Sequence, residues 1–151
     1  MSIPGAILFE RSVRVRFSHC DPAGIVFFPQ YLTLTNALVE DWFNEGLGID
    51  YAAMIGTRRI GLPIVKLECE FVRPSRMGES LSMRLSLDAL GRRSISIGIE
   101  ALRHDGVCFR SKQVLVTTSL ASHQSIDIPD DIRIALERAA SSPLSFEAQS
   151  L

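Results

Sequence analysis

Long apolar runs are missing from this chain of 151 residues. None approaches the roughly 18 residues that a membrane-spanning helix needs, so no membrane partner is expected. Cysteine is scarce and odd in number: the three are Cys20, Cys69 and Cys108, far apart in the chain. That usage excludes a disulfide framework or a zinc site and fits reduced thiols in the cytoplasm. No group of His, Cys, Asp or Glu has metal-ligand spacing, and no glycine-rich phosphate loop is present. Neither a metal nor a cofactor is therefore expected. Excess charge of either sign is missing as well: 16 Lys and Arg against 17 Asp and Glu leave a net charge of −1. That balance argues against nucleic acid or an anionic membrane surface as the main partner. The opening Met-Ser-Ile-Pro-Gly-Ala-Ile-Leu-Phe-Glu lacks the basic start and long apolar centre of a signal peptide. A cytoplasmic location is the expectation.

What remains is ordinary globular material, 46% hydrophobic and 22% charged, with no internal repeat and no interdomain linker. A chain of this length suits one domain, residues 1–151, with 141–151 expected to be a loosely ordered tail. Residues 8–17 alternate, with Phe9, Val13, Val15 and Phe17 on one face and Glu10, Ser12, Arg14 and Arg16 on the other. Period two predicts a half-buried strand. From 30 to about 45 the period becomes helical: Tyr31, Leu34, Leu38 and Trp42 recur at spacings of three and four, widened by Leu32, Val39 and Phe43. A stripe that wide predicts a helix largely enclosed by protein, begun after Pro29 and ended by Gly46 and Gly48. Residues 49–61 read as a short helix or loop.

Four strand patterns follow. The first sets Val65, Leu67, Cys69 and Phe71 against Lys66, Glu68 and Glu70, and the second alternates from Ser80 to Ala89. The third alternates from Ser94 to Ala101; the fourth, 107–119, changes phase near Lys112, which predicts a bulge. Links 73–78, 91–93 and 104–106 are short and contain Gly or Pro, which predicts an antiparallel meander. A weaker helix is expected from 130 to 139. Strand, long helix and four antiparallel strands make an α+β architecture, one apolar sheet face covered by one helix. The outer strands leave edges that invite pairing, so a homodimer, assembling further to a homotetramer, is expected.

The loop between the first strand and the helix carries the chemistry. Phe-Ser-His-Cys-Asp-Pro-Ala-Gly-Ile-Val-Phe-Phe-Pro-Gln-Tyr, residues 17–31, places the single carboxylate Asp21 in a turn just before an apolar helix. Asp-Pro by itself is a common turn opener. A carboxylate beside free helix N–H groups also suits acyl transfer: it attacks, or activates water, while the N–H groups stabilise the oxyanion. Cys20 beside His19 is read as a packed thiol, because catalytic Cys–His pairs meet through space and rarely as sequence neighbours.

At Asp21-Pro22-Ala23-Gly24-Ile25-Val26-Phe27-Phe28-Pro29, with Tyr31 beyond, the chain resembles the 4-hydroxybenzoyl-CoA thioesterase family. Gly61-Leu62-Pro63-Ile64-Val65 and the element order extend the likeness weakly over most of the chain. The resemblance implies a hot-dog fold: a five-stranded antiparallel sheet wrapped around one long central helix, with active sites at a dimer interface. It implies that Asp21 is the catalytic carboxylate and that the N–H of Phe28 polarises the thioester carbonyl. His19, Gly24, Ile25 and Tyr31 would line the substrate site, and Arg92 and Arg93 would meet the CoA phosphates. His19 stands where the hydroxybenzoyl enzymes tend to carry an acid, so aryl and short or branched acyl groups are both open.

The activity so implied is hydrolysis of an acyl-CoA thioester to free acid and CoA. Its leaving thiol has a pKa near ~8.5 on the cysteine scale, so no strong general acid is needed. That suits a site with one carboxylate and no triad. Two rivals differ in class: a thioesterase acting on acyl carrier protein, and a non-catalytic module that binds acyl thioesters. Arg92 and Arg93 in a turn are equally well read as a solvated corner.

Overall fold

The computed structural model describes residues 5–146. β1 (Ile7–Arg14) leads through a single 3₁₀ turn, Phe17–His19, into the loop of Asp21. The central helix α1 (Gln30–Asp41) continues without a break into a π-helical turn, Trp42–Leu47. Next come α2 (Tyr51–Gly56), β2 (Ile60–Gly61), β3 (Ile64–Phe71), β4 (Ser80–Leu90) and β5 (Ser94–Arg103). The chain closes with β6 (Gly106–Val116), β7 (Thr118–Ser119) and α3 (Asp130–Ser141). Gly48, with φ 69°, ends the helical run in the left-handed conformation and donates its N–H to Phe43 O.

Five strands form one sheet in the order β1-β4-β5-β6-β3, every pairing antiparallel, and β2 pairs with β7 separately. The inner face supplies Leu81, Met83, Leu85, Ile95, Ile97, Ile99 and Phe109, all fully buried, against Leu34, Leu38, Trp42 and Phe43 of the helical run. This is the expected α+β arrangement of sheet and central helix. The helix is not enclosed within one protomer, however: Thr33, Asn36, Ala37 and Glu40 stay exposed because the sheet wraps only one side.

Phe17, expected on the buried face of the first strand, lies beyond β1 in the 3₁₀ turn and is 81% exposed. Two expectations about the sheet change as well. The strands are not one continuous meander, because β3 lies at the far edge beside β6 and not next to β4. A short link requires only that its strands run in opposite directions. Residues 72–79 reach up to ~26 Å when extended at ~3.3 Å each. Three strand spacings of about 4.8 Å amount to ~14 Å, so the link crosses the intervening ends with length to spare. Its start is held by Val72 and Arg73, whose N–H groups both donate to Cys108 O. Its end is held by Val15 N–H on Glu79 O at 2.8 Å.

The bulge expected near Lys112 is also absent. Register runs unbroken through Gly98↔Lys112 and Glu68↔Lys112. The phase change was two polar residues on the core face. Ser111 and Gln113 point inward, and Gln113 Nε2 donates to Thr35 Oγ1 at 3.2 Å and Ser111 Oγ at 3.3 Å. Buried amides and hydroxyls are tolerated when they find each other, so alternation of polarity failed here while alternation of direction held.

Near the β5–β6 turn, Arg103 donates to Asp105 Oδ1 at 2.5 Å and Oδ2 at 2.6 Å. These bonds hold the Asp105 carboxyl down to about 2. The unfolded value is near ~3.9, so the stability this pair contributes is present above that pH and is lost as pH falls through the folded value. An NMR titration of the Asp105 carboxyl carbon is expected to give a midpoint near 2. A midpoint in the ordinary aspartate range would show that Arg103 does not hold it.

Candidate active site

The Asp21 loop is built by short backbone bonds. Cys20 and Val26 form an antiparallel bridge, and Asp21 N–H donates to Ile25 O at 3.0 Å. Gly24 N–H closes the turn on Asp21 O at 2.9 Å, with Gly24 at φ +78°. A Cβ on Gly24 would meet nothing within 4 Å, so the demand for glycine comes from backbone angle and not from space. The crossing link 72–79 clamps the loop from below: Val26 N–H donates to Ser75 O at 2.8 Å and Met77 N–H to Gly24 O at 3.0 Å. The rearranged strand order thus has a direct consequence for the site.

Asp21 Oδ1 accepts from Ala23 N–H at 2.8 Å, an Asx turn that fixes the carboxylate's orientation. Its second oxygen has no partner among the described residues. The carboxylate faces a cleft of about 280 Å³ that it shares with Ser18, His19, Cys20, Phe27 and Gln30. Phe27 N–H donates to His19 O at 2.9 Å and so draws the helix entry alongside the carboxylate's own segment.

The start of α1 is not a row of free amides. Gln30, Tyr31 and Leu32 donate to the carbonyls of Phe27, Phe28 and Pro29. Pro29 has no N–H to offer. Among the described residues the N–H of Phe28 meets no acceptor, which leaves one open donor at the helix entry. An amide of this kind is available to a carbonyl oxygen that develops negative charge.

His19 and Cys20 are both tied to Arg16: Arg16 N–H donates to His19 Nδ1 at 2.9 Å, and Cys20 Sγ donates to Arg16 O at 3.4 Å. His19 also lines the Asp21 cleft. Ile25 and Tyr31 line a second cavity of about 220 Å³ with Phe28, Phe71 and Pro74. Tyr31 is buried, its hydroxyl 2.7 Å from Ser75 Oγ, and burial pushes its pKa up, so the hydroxyl stays protonated. Aromatic rings connect this cavity to the core. Phe28 meets Phe71 edge-on at 6.0 Å, Phe71 tilts on Phe109 at 5.4 Å, and Tyr31 stacks on Phe109 at 4.7 Å.

Arg92 and Arg93 lie at the β4–β5 turn, while Asp21 lies beside the start of β4. The 11 residues of β4 separate the two places by roughly 35 Å at ~3.3 Å per residue. Both guanidiniums donate to Asp127 Oδ1, Arg93 at 2.9 Å and Arg92 at 3.0 Å, and hold that carboxyl below its usual range. Within one protomer they do not join the other candidates.

Sequence reasoning missed Ser75 and Phe71 as parts of the site. Ser75 lies in an irregular link with no periodic signal. Phe71 was visible as a strand residue, but its place beside Phe28 depends on strand order.

A family model described as the Thioesterase-like superfamily matches residues 15–136 of the chain. The chain belongs to this superfamily. Among curated superfamily relatives, the 1,4-dihydroxy-2-naphthoyl-CoA hydrolase of Synechococcus elongatus is 35% identical over 79 residues, 52% of this chain and 57% of that protein. The 4-hydroxybenzoyl-CoA thioesterase of Pseudomonas sp. is 30% identical over 82 residues, 54% and 58% of the two chains. The chain thus spans little more than half the length of these curated relatives in the aligned stretch. Solved structures agree on the fold over a longer stretch. A 1,4-dihydroxy-2-naphthoyl-CoA thioesterase from Synechocystis superposes with TM-score 0.77 at 20% identity, covering 85% of this chain and 94% of that one. A gentisyl-coenzyme A thioesterase superposes with TM-score 0.75 at 25% identity, covering 84% and 98%. This superfamily member has the hot-dog fold, a five-stranded antiparallel sheet curved around its central helix.

Proposed function

We propose that the chain hydrolyses an acyl-CoA thioester to the free acid and CoA. The observation that carries this reading is the pairing of two unclaimed groups on one clamped loop: the second carboxylate oxygen of Asp21 and the N–H of Phe28. The thioester oxygen accepts from Phe28 N–H. Asp21 then attacks the carbonyl carbon, expelling CoA thiolate and leaving a mixed anhydride that water opens, or it takes a proton from the attacking water. Neither route calls for a metal or a cofactor. Single-turnover hydrolysis in ¹⁸O water separates them, because only the anhydride route puts label into Asp21.

The acyl group we assign is aromatic. Phe28 and Phe71 both line the second cavity and meet each other edge-on, an aromatic environment suited to a flat ring. The relatives named above act on hydroxylated aryl-CoA thioesters, which makes 1,4-dihydroxy-2-naphthoyl-CoA and 4-hydroxybenzoyl-CoA the first substrates to assay. Thiol release across aryl-, short- and branched-chain acyl-CoAs, with an acyl carrier protein thioester as a further arm, tests the assignment. Binding without thiol release would establish the non-catalytic alternative, and preference for the protein-borne thioester would change the carrier.

The working unit in this proposal is a homodimer, with a homotetramer built from it. Of the two sheet edges, the start of β1 is engaged by Leu144 N–H on Ile7 O, whereas β3 presents Val65, 60% exposed, and Phe71, 51% exposed. An edge that apolar invites a second copy. Antiparallel pairing of two β3 strands about a two-fold axis sets the far end of one sheet beside the near end of the other. Arg92 and Arg93 of the partner subunit then approach the Asp21 end, where CoA phosphates would meet them. Val65→Lys is expected to shift the protein to monomer in light scattering and to lower kcat/KM. An unchanged oligomer with full activity would assign the interface elsewhere.

A further inference from the structure

We infer that the cleft between α3, the π-helical turn and the start of β1 is a binding site for an apolar carboxylate, separate from the Asp21 site. It is the larger space, about 690 Å³, within the range of small-molecule pockets. Ile134, 47% exposed, and Leu144, 44% exposed, both line it, so it offers apolar surface that nothing among the described residues covers.

Charge settles the class of ligand. Two charged residues besides Arg138 line the cleft, Glu45 and Asp131, and each is already paired. Glu45 is paired with Arg11, and Asp131 takes two bonds of 2.8 Å from Arg58. Arg138 lines the same cleft, and its guanidinium has no partner among the described residues. Among the described residues, the cleft therefore holds one uncompensated positive charge, set among apolar side chains.

Trp42 supplies an independent observation. It forms part of the wall and is fully buried, yet its Nε1–H has no acceptor among the described residues. Buried donors of this kind are rare and call for an explanation. Indole donates only, so the missing group is an acceptor oxygen. Gly46 covers that edge: a Cβ there would lie 2.7 Å from Trp42 Cδ1 and 3.4 Å from Nε1. Glycine leaves the cover thin, and it sits within a π-helical turn, a local widening often found at functional sites. A carboxylate meets both needs, one oxygen on Arg138 and the other on the indole N–H after a small movement of Gly46, with its apolar chain along Ile134 and Leu144.

Trp42 is the single tryptophan of the chain, so intrinsic fluorescence reads this cleft directly. Decanoate, titrated below its micellar concentration, is expected to give a saturable change in emission that persists with saturating CoA present. Arg138→Ala is expected to weaken binding about tenfold or more, the loss that follows from removing a charged hydrogen bond, while Arg138→Lys keeps most of it. Decylamine should give no saturable response. No saturable change with decanoate, equal response to decylamine, unaltered affinity in Arg138→Ala, or displacement by CoA would each overturn the assignment.

Discussion

Asp21→Asn is expected to lower kcat by about 10²–10⁴, the range typical of a lost acid–base or nucleophilic carboxylate, with KM little changed. The substitution is chosen because the Asx turn survives it: an asparagine Oδ1 accepts from Ala23 N–H as the aspartate does at 2.8 Å. Gly24 N–H on Asp21 O and Asp21 N–H on Ile25 O are backbone bonds and do not depend on the side chain. The loop keeps its shape, the N–H of Phe28 stays free, and only the negative charge is lost. Asp21→Ala removes the turn as well and would confuse chemistry with loop structure. Thiol release measured beside thermal unfolding separates the two. A variant with near-normal turnover and unchanged stability would remove Asp21 from the mechanism.

Phe109→Ala is expected to destabilise the protein by about 3–5 kcal/mol, the usual range for deleting a buried aromatic ring. For a protein of this size that corresponds to a fall in Tm of roughly 10 °C, at ~2–4 °C per kcal/mol. Phe109 is fully buried and touches two other rings, stacked on Tyr31 at 4.7 Å and tilted on Phe71 at 5.4 Å. Removing it leaves a void under both. Tyr31 belongs to the first turn of α1, and Phe71 carries the edge contact to Phe28. The loss should therefore reach the site as well as the core. In the proposed reading, KM for an aryl-CoA rises while Asp21 remains in place. Urea unfolding gives the stability term, and steady-state kinetics at a temperature where the variant is folded gives the other. A change under 1 kcal/mol would mean that Phe109 is not a packed core ring and would sink the reading.

The helical stripe from Tyr31 to Phe43 and the alternation of β5 follow from local period; in β4 the marked Leu81, Met83 and Leu85 are buried, but the pattern slips beyond them at a register shift, where Ser86 is buried and Ala89 exposed. Gly48 takes the left-handed angle for which glycine at a helix end is the usual sign. The Asp21 loop was legible for a different reason. Asp-Pro and Gly24 set a turn by local steric rules, and a turn immediately before an apolar helix places a carboxylate at its entry whatever lies elsewhere.

Other features were silent because they depend on residues distant in the chain. Polarity along β6 suggested a bulge, since no local rule reveals that Gln113 will find Thr35 across the core. Link length gave strand direction and not strand order, so the crossing that brings Ser75 under Val26 could not be read from it. Arg92 and Arg93 looked free in the sequence, and only folding showed Asp127 between them. The same holds for the helix entry, where several amides seemed open until α1 closed on its own carbonyls and left Phe28 alone. Sequence alone determined the elements, the carboxylate and its turn, because steric angle and hydrophobic period act over a few neighbouring residues. Tertiary structure alone decided strand order, the clamp on the loop and the one open donor, because a hydrogen bond between distant residues exists only once the chain has brought both partners within about 3 Å.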